Sequence, residues 1–243
     1  MMGKGESYEP DQLVFEIEVQ ANATYDIANL LKPNGSGRIT YDFTIDYGDG
    51  SSTEIKTGSD ITTTTINHTY TTGIYTLILT GSVPALSVAY GWLANIDLLR
   101  VLNWGDIQEM TLYDLTTLTS IPQVALPDLY NDYFDFNLFK NTSITNIPSN
   151  LFNNQTNPAS TFYELPDTFL NTPITSIPTG FFDFVTPTIP MDFKSTFKGC
   201  TAIINTVDAI WSDVDAICST GDCFEGAINI ANYASIPNNW KGL

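Results

Sequence analysis

Asp128, Asp132 and Asp135, in the stretch PDLYNDYFDF (127–136), have the type and spacing for acid–base chemistry. Two carboxyls held at a fixed separation are what hydrolysis of a glycosidic bond requires. The same stretch also suits binding. Tyr130, Tyr133 and Phe134 offer ring faces, and Asp132 and Asp135 offer acceptors, to a sugar, peptide or protein partner. Tyr90 and Trp92 form a second aromatic pair of this kind. His68 is the single histidine, the residue type most used as a general base. Each has a plainer reading: rings in the core, carboxylates on a solvated insert, and a histidine making a structural hydrogen bond near a strand corner.

Other chemistries lack their residues. The sequence contains no GxSxG, no GxxxxGK[ST] and no GxGxxG. Its three cysteines, Cys200, Cys218 and Cys223, include no CxxC, and one histidine cannot build the common His-rich zinc sites. Cys218 and Cys223 could pair, but small buried thiols are the expected reading. Asp46 and Asp49 do not follow the EF-hand spacing, so a turn role is expected for them. Neither a cofactor nor an enzymatic activity is expected.

The chain has 243 residues and a formal net charge of −18, from 27 acidic and 9 basic side chains. A field of that sign repels nucleic-acid backbones and anionic lipid and favours solubility; calcium is the weaker alternative reading of the acidic oxygens. No run approaches the roughly 20 apolar residues of a membrane span. MMGKGESYEPDQ, at the start, lacks the apolar segment of an export signal. Expected locations are therefore a virion released by lysis, or a cell surface or extracellular space reached with an export signal that this chain does not show.

Apolar residues are 43% and charged residues 15%, with abundant Ser, Thr, Asn, Gly and Pro, which suits short strands joined by turns. LVFEIEV (13–19) alternates, with Leu13, Phe15, Ile17 and Val19 on one face. ITYDFTIDY (39–47) alternates again, Gly48-Asp49-Gly50 reverses the chain, and STEIK returns it. ITTTTINHTY (61–70) and IYTLILT (74–80) complete an expected antiparallel sandwich. Asp46-Tyr47-Gly48-Asp49-Gly50, His68-Thr69-Tyr70 and Gly73-Ile74-Tyr75 with Leu77 resemble the DxGDG…HxY…GxY signature of PKD-type immunoglobulin-like domains over about residues 10–82. Where that family usually has an aromatic residue before the first Asp, this strand has Phe43 and Ile45. The resemblance implies a spacer or binding module and no reaction.

Residues 83–95 read as a packed connector, and IDLLRVL (96–102) as a strand-like run within the following unit. From there the chain repeats: FKNTSITNIP (139–148) returns as FLNTPITSIP (169–178). Aromatic anchors fall at Tyr113, Phe139, Phe169, Phe197 and Phe224, with gaps of 26, 30, 28 and 27 residues. Two positions after the last four stand Asn141, Asn171, Gly199 and Gly226, the residue types that best tolerate positive φ, as at a helix end. Tyr113 has Leu115 there instead. Ile-Pro pairs follow at 121, 147 and 177, and Ser149 and Thr179 stand where a new helical turn could begin. A unit this short buries its apolar face only by stacking on its neighbours. With Phe197-Lys-Gly-Cys-Thr and Trp104-Gly105, the pattern resembles BspA-like irregular leucine-rich repeats over about residues 96–240.

The expected architecture is thus mainly β: an immunoglobulin-like (PKD-like) sandwich in 1–82, then a short leucine-rich-repeat solenoid in 83–243 with its connector at 83–95. The combined resemblance implies a surface protein of gut bacteria or their phages, adhesive or structural. Its expected partners are a protein or glycan on a cell surface, or other virion proteins; a homo-oligomer is compatible with the sequence.

Overall fold

A computed structural model describes residues 7–32, 40–89, 95–107, 109–129, 137–154, 163–183, 191–211 and 219–243. The chain is mainly β, with antiparallel sheets. In Gln12–Val19 (β1), alternate side chains Leu13, Phe15, Ile17 and Val19 are fully buried, so one face of the strand builds core. Ala23–Asp26 (β2) follows. Tyr41–Asp46 (β3) sends Tyr41, Phe43 and Ile45 inward, and Glu54–Gly58 (β4) pairs with it antiparallel from Ile45 opposite Glu54. The connection is longer than a tight hairpin. Asp46 and Asp49 accept from the Gly48 and Ser51 N–H groups, and both glycines adopt positive φ. At Gly48 a Cβ would lie 2.2 Å from the Thr76 carbonyl oxygen.

The threonine run does not extend as one strand. The Asp60 carboxylate accepts from the Thr62 N–H and hydroxyl, bending 61–63 into a 3-10 turn. Only Asn67–Tyr70 (β5) is extended, antiparallel to β2. Gly73–Ser82 (β6) pairs with both β1 and β3. Ala85–Ala89 (β7), Ile96–Trp104 (β8) and Glu109–Tyr113 (β9) follow. The principal sheet has the order β4-β3-β6-β1-β8, while β7 and β9 pair parallel. The β1–β8 pairing runs across the boundary expected at residue 82, because strand β8 completes the sheet begun by β1.

β8 is an edge strand whose free side is taken up by the next stretch of chain. The Thr119 N–H donates to Leu99 O, the Val101 N–H donates to Ser120 O, and Arg100 bridges Ser120 in parallel. The same handover then recurs: Ser143 to Leu118, Thr175 to Thr145, Ile204 to Thr175 and Ala231 to Asn205. A second line starts from the β7–β9 pair. In it Asp114 donates to Lys140 O, Asn141 to Leu170 O, Asn171 to Lys198 O and Gly199 to Glu225 O. Tyr163–Glu164 (β10) and Met191–Asp192 (β11) add a short parallel pair.

Between these lines runs a file of rings. Phe139 and Phe169 stack at 5.6 Å, Phe169 and Phe197 at 5.2 Å, and Phe197 and Phe224 at 5.6 Å, with interplanar angles of 14°, 12° and 5°. Trp104 meets Phe139 at one end; Trp240 stacks on Phe224 at the other and accepts its N–H. All four phenylalanines are fully buried. Full burial of such a side chain is worth about 1.5–3 kcal/mol relative to exposure.

Tyr113 does not occupy the first rung. Leu112 does, being fully buried while Tyr113 is half-buried, and Asp114 two positions on has φ 58° and donates to Lys140 O as its counterparts do. The spacing to Phe139 is therefore 27 residues rather than 26. Nor do the anchors end helices. Asn141, Asn171, Gly199 and Gly226 have φ of 54°, 57°, 75° and 77°, but a second left-handed set, Asp167, Ser195 and Asp222, precedes the last three anchors. Three residues between two left-handed ones leave room for hydrogen-bonded turns and not for a helix. The segments after Ser149 and Thr179 are turns too, closed by Leu151 to Pro148 O and Phe181 to Pro178 O.

At Gly199, φ 75°, a Cβ would lie 2.3 Å from Asn171 Oδ1, so that amide would have to shift, whereas at Gly226 only Gly199 backbone atoms come within 4 Å, at 3.7 Å. Gly199→Ala is expected to cost about 1–3 kcal/mol, with the left-handed strain compounded by the clash. Gly226→Ala is expected to cost about 1 kcal/mol. Urea unfolding midpoints at constant m-value check both.

Candidate functional site

Tyr90, Trp92, Tyr130, Asp132, Tyr133 and Asp135 lie outside the described residues, as do Phe134 and Cys218. Asp128 is described and exposed, between the half-buried Pro127 and the buried Leu129. Among the described residues, a group of titratable side chains surrounds His68.

Strand β5 holds His68 and Tyr70 two residues apart, on one face; the turn after β3 brings Tyr47 and Asp49 against them. His68 Nε2 lies 2.7 Å from Asp49 Oδ2. The imidazole stacks on Tyr47 with centroids 3.7 Å apart and planes 8° apart, and Tyr70 meets it edge-on at 4.6 Å. The Tyr70 hydroxyl donates to Tyr47 O at 3.2 Å, and Tyr75 tilts against Tyr70 at 4.6 Å. Burial, then the Glu54 and Asp49 carboxylates, push the Tyr47 phenol up to about 12; burial pushes Tyr70 up as well. Neither phenol is poised to give up its proton near neutral pH.

The Asp49 carboxyl moves the other way. Its hydrogen bond from Ser51, against a smaller opposing effect of burial, and that from His68 lower it to about 2. Ser51 and His68 thus both bond to the Asp49 carboxylate. Nucleophile activation needs the reverse order, with imidazole between carboxylate and hydroxyl. What this group does is fasten the turn after β3 to β5 through an ion-pair-capable hydrogen bond and a ring sandwich. Among the described residues no three His, Cys, Asp or Glu side chains are grouped to hold a metal ion. Among them, too, no helix is long and apolar enough to cross a membrane.

The copies present a second surface. Along each extended segment inward and outward positions alternate: Ile144, Ile174, Ile203 and Ile230 are buried, while Thr145, Thr175, Ile204 and Ala231 are exposed. The backbone bonds place these outward residues in neighbouring copies side by side, at the roughly 4.8 Å spacing of paired strands. Such a face can offer hydroxyls and methyls to a flat or extended partner.

Two clamps had no recognised signal in the pattern. Asn205 accepts from the Ile177 N–H at 3.0 Å and donates to Ile177 O at 2.6 Å; Asn232 does the same to Val207, at 2.9 Å each. Both stand eight residues after their anchor, where earlier copies carry the Ile of Ile-Pro. The signal was the amide itself, at the position of that Ile. Cys200 and Cys223 fill inward positions that other copies give to threonine, and both are fully buried free thiols. Thr142 and Thr172 donate to Phe139 O and Phe169 O; the Cys200 thiol reaches Phe169 O at 2.9 Å.

No family model matches the chain, and none of the curated proteins or solved structures compared with it does.

Two outcomes follow from this geometry. Asp49 binds a proton less readily when folded than when unfolded, so its contribution is present above the ordinary carboxylate pKa of 3.8 and is lost as pH falls toward about 2. Asp49→Asn should flatten that part of the stability–pH curve, seen as a smaller loss of thermal midpoint between pH 5 and 2. Burial raises the Cys200 thiol to about 11 and the Cys223 thiol further. Thiol reagents at neutral pH should leave both unmodified until denaturant is added, read by mass spectrometry of labelled peptides.

Proposed function

We propose that this chain is a non-enzymatic adhesion or structural protein displayed on a surface, with a bacteriophage virion component as the leading form. In this reading β1–β6, with β7 and β8, form a PKD-like immunoglobulin-type sandwich that serves as a mount. The copies after it form a BspA-like leucine-rich-repeat solenoid that displays a binding face.

The observation that carries the reading is the handover of backbone bonds from copy to copy, from β8 to Ala231 on one line and from Asp114 to Trp240 on the other. Rings fill the interior, backbone bonds fix the spacing, and the outward letters are free to vary without disturbing either. That arrangement suits recognition by a repeated surface more than a reaction at one point. The His68 corner supports the same reading, since its bonds and stacking are used in holding a turn. A bacterial cell-surface or secreted repeat adhesin differs from the virion reading in address rather than in architecture.

The test places the chain and then asks what it holds. Peptides of this chain are expected in purified phage particles from lysates of the source culture, and the purified protein is expected to retain glycans on an array or to bind host cells. Recovery from neither particles nor cell envelopes, with silence on glycans and cells, would remove the reading. Hydrolysis of any arrayed glycan would replace it with an enzymatic one.

A further inference from the structure

The two edges of the principal sheet are treated differently. At β8 the next stretch of chain bonds to the edge; at the other end stands β4, and among the described residues no backbone group bonds to its outer side. An open edge of this kind is a template for another strand. Residues 53–57, which begin one residue before β4, read TEIKT, with Ile55 in the centre and 76% exposed, on the face away from the Tyr47–His68 layer. Glu54 and Lys56 lie together on the opposite face, where they form an ion pair, and Glu54 also interacts with Tyr47 and His68.

We propose that β4 is a homodimer interface, in which this strand pairs antiparallel with β4 of a second copy about a two-fold axis at Ile55. Turning the strand about that axis sets Thr53 opposite the partner subunit's Thr57, Glu54 opposite the partner subunit's Lys56, and Ile55 opposite itself. Every facing pair is then complementary: hydroxyl with hydroxyl, acid with base, aliphatic with aliphatic. Other registers lose this. A shift by two residues faces Glu54 with Glu54 or Lys56 with Lys56, as does a parallel in-register pairing. A shift by one turns the apolar face against the charged one. A lysine on an edge strand ordinarily blocks pairing; with a glutamate two residues before it, the same lysine selects one partner and one register. The interface is isologous, as a two-fold dimer requires. The net charge of −18 on each copy opposes association, but beyond about 8 Å that repulsion is largely screened at physiological ionic strength. The contacts at the strand are shorter than that and persist.

This inference does not rest on the adhesion reading, and its test is separate. Light scattering on the full chain at physiological ionic strength should give twice the 26.8 kDa chain mass. Glu54→Lys and Lys56→Glu each place like charges opposite one another twice, and each should return the protein to monomer. Mixed in equal amounts, the two variants carry Lys-Ile-Lys against Glu-Ile-Glu and should form a heterodimer. That rescue cannot come from changes within one chain. A wild type at single-chain mass, single variants that remain dimeric, or a mixture that stays monomeric would each overturn the interface.

Discussion

A sheet edge has to end in something, and here the need to satisfy β8 organises the molecule. The outer side of β8 carries backbone donors and acceptors that cannot be left dry. The chain answers by laying residues 118–120 along it, which exposes a new edge with the same need. Each copy in turn meets the demand of the one before and passes it on. The process can stop only where a segment of another kind closes the end. Trp240 does this: its carbonyl takes the Phe224 N–H, its ring covers the last phenylalanine, and Lys241 behind it lies over the Tyr233 ring at 5.4 Å.

What lets so short a unit turn around a phenylalanine is the pair of left-handed residues on either side. Asp167 and Asn171 flank Phe169, Ser195 and Gly199 flank Phe197, and Asp222 and Gly226 flank Phe224. The tight reversals bury polar backbone, and the inward hydroxyls answer it: Thr168 donates to Leu165 O and Thr196 to both Phe193 O and Leu165 O. Buried threonine is therefore part of the turn and not a polar defect in the core. Ion pairs such as Lys140–Asp167 and Lys198–Glu225 link successive copies at the rim, exposed enough to add little stability.

The period was legible because stacking forces the same side chain to the same place every 27 to 30 residues. Phe139, Phe169, Phe197 and Phe224 could be read directly for that reason. The first rung was misplaced by one because Tyr113 is aromatic and Leu112 is not, and chemistry of type outweighed phase. Turns were read as helix ends because a left-handed residue after a hydrophobic one is common to both, and the preceding left-handed positions are Asp and Ser, which do not announce it. The membership of β8 in the first sheet was illegible, since alternation says that a strand exists but not which strand it joins. Function was least legible. The stretch with the most suggestive rings and carboxylates, 130–136, falls outside the described residues, and the Asp49–His68 pair, though its motif was seen, shows its purpose only through the order of its hydrogen bonds.

That order separates a site from a fastening. An Asp–His pair beside a serine satisfies a list of catalytic residue types, yet Ser51 bonds to the carboxylate, and Tyr47 covers one face of the imidazole at 3.7 Å. The imidazole Nε2 is turned to Asp49 and not to Ser51. The acidic surplus of the chain follows the same logic at larger scale. Where acids touch the frame they cap turns, as Asp26, Asp46 and Asp60 do, or tie one copy to the next. Elsewhere their shared sign opposes the close approach of two copies. A protein built by satisfying one edge after another needs that protection wherever an edge is left open, and needs a specific partner wherever it is not.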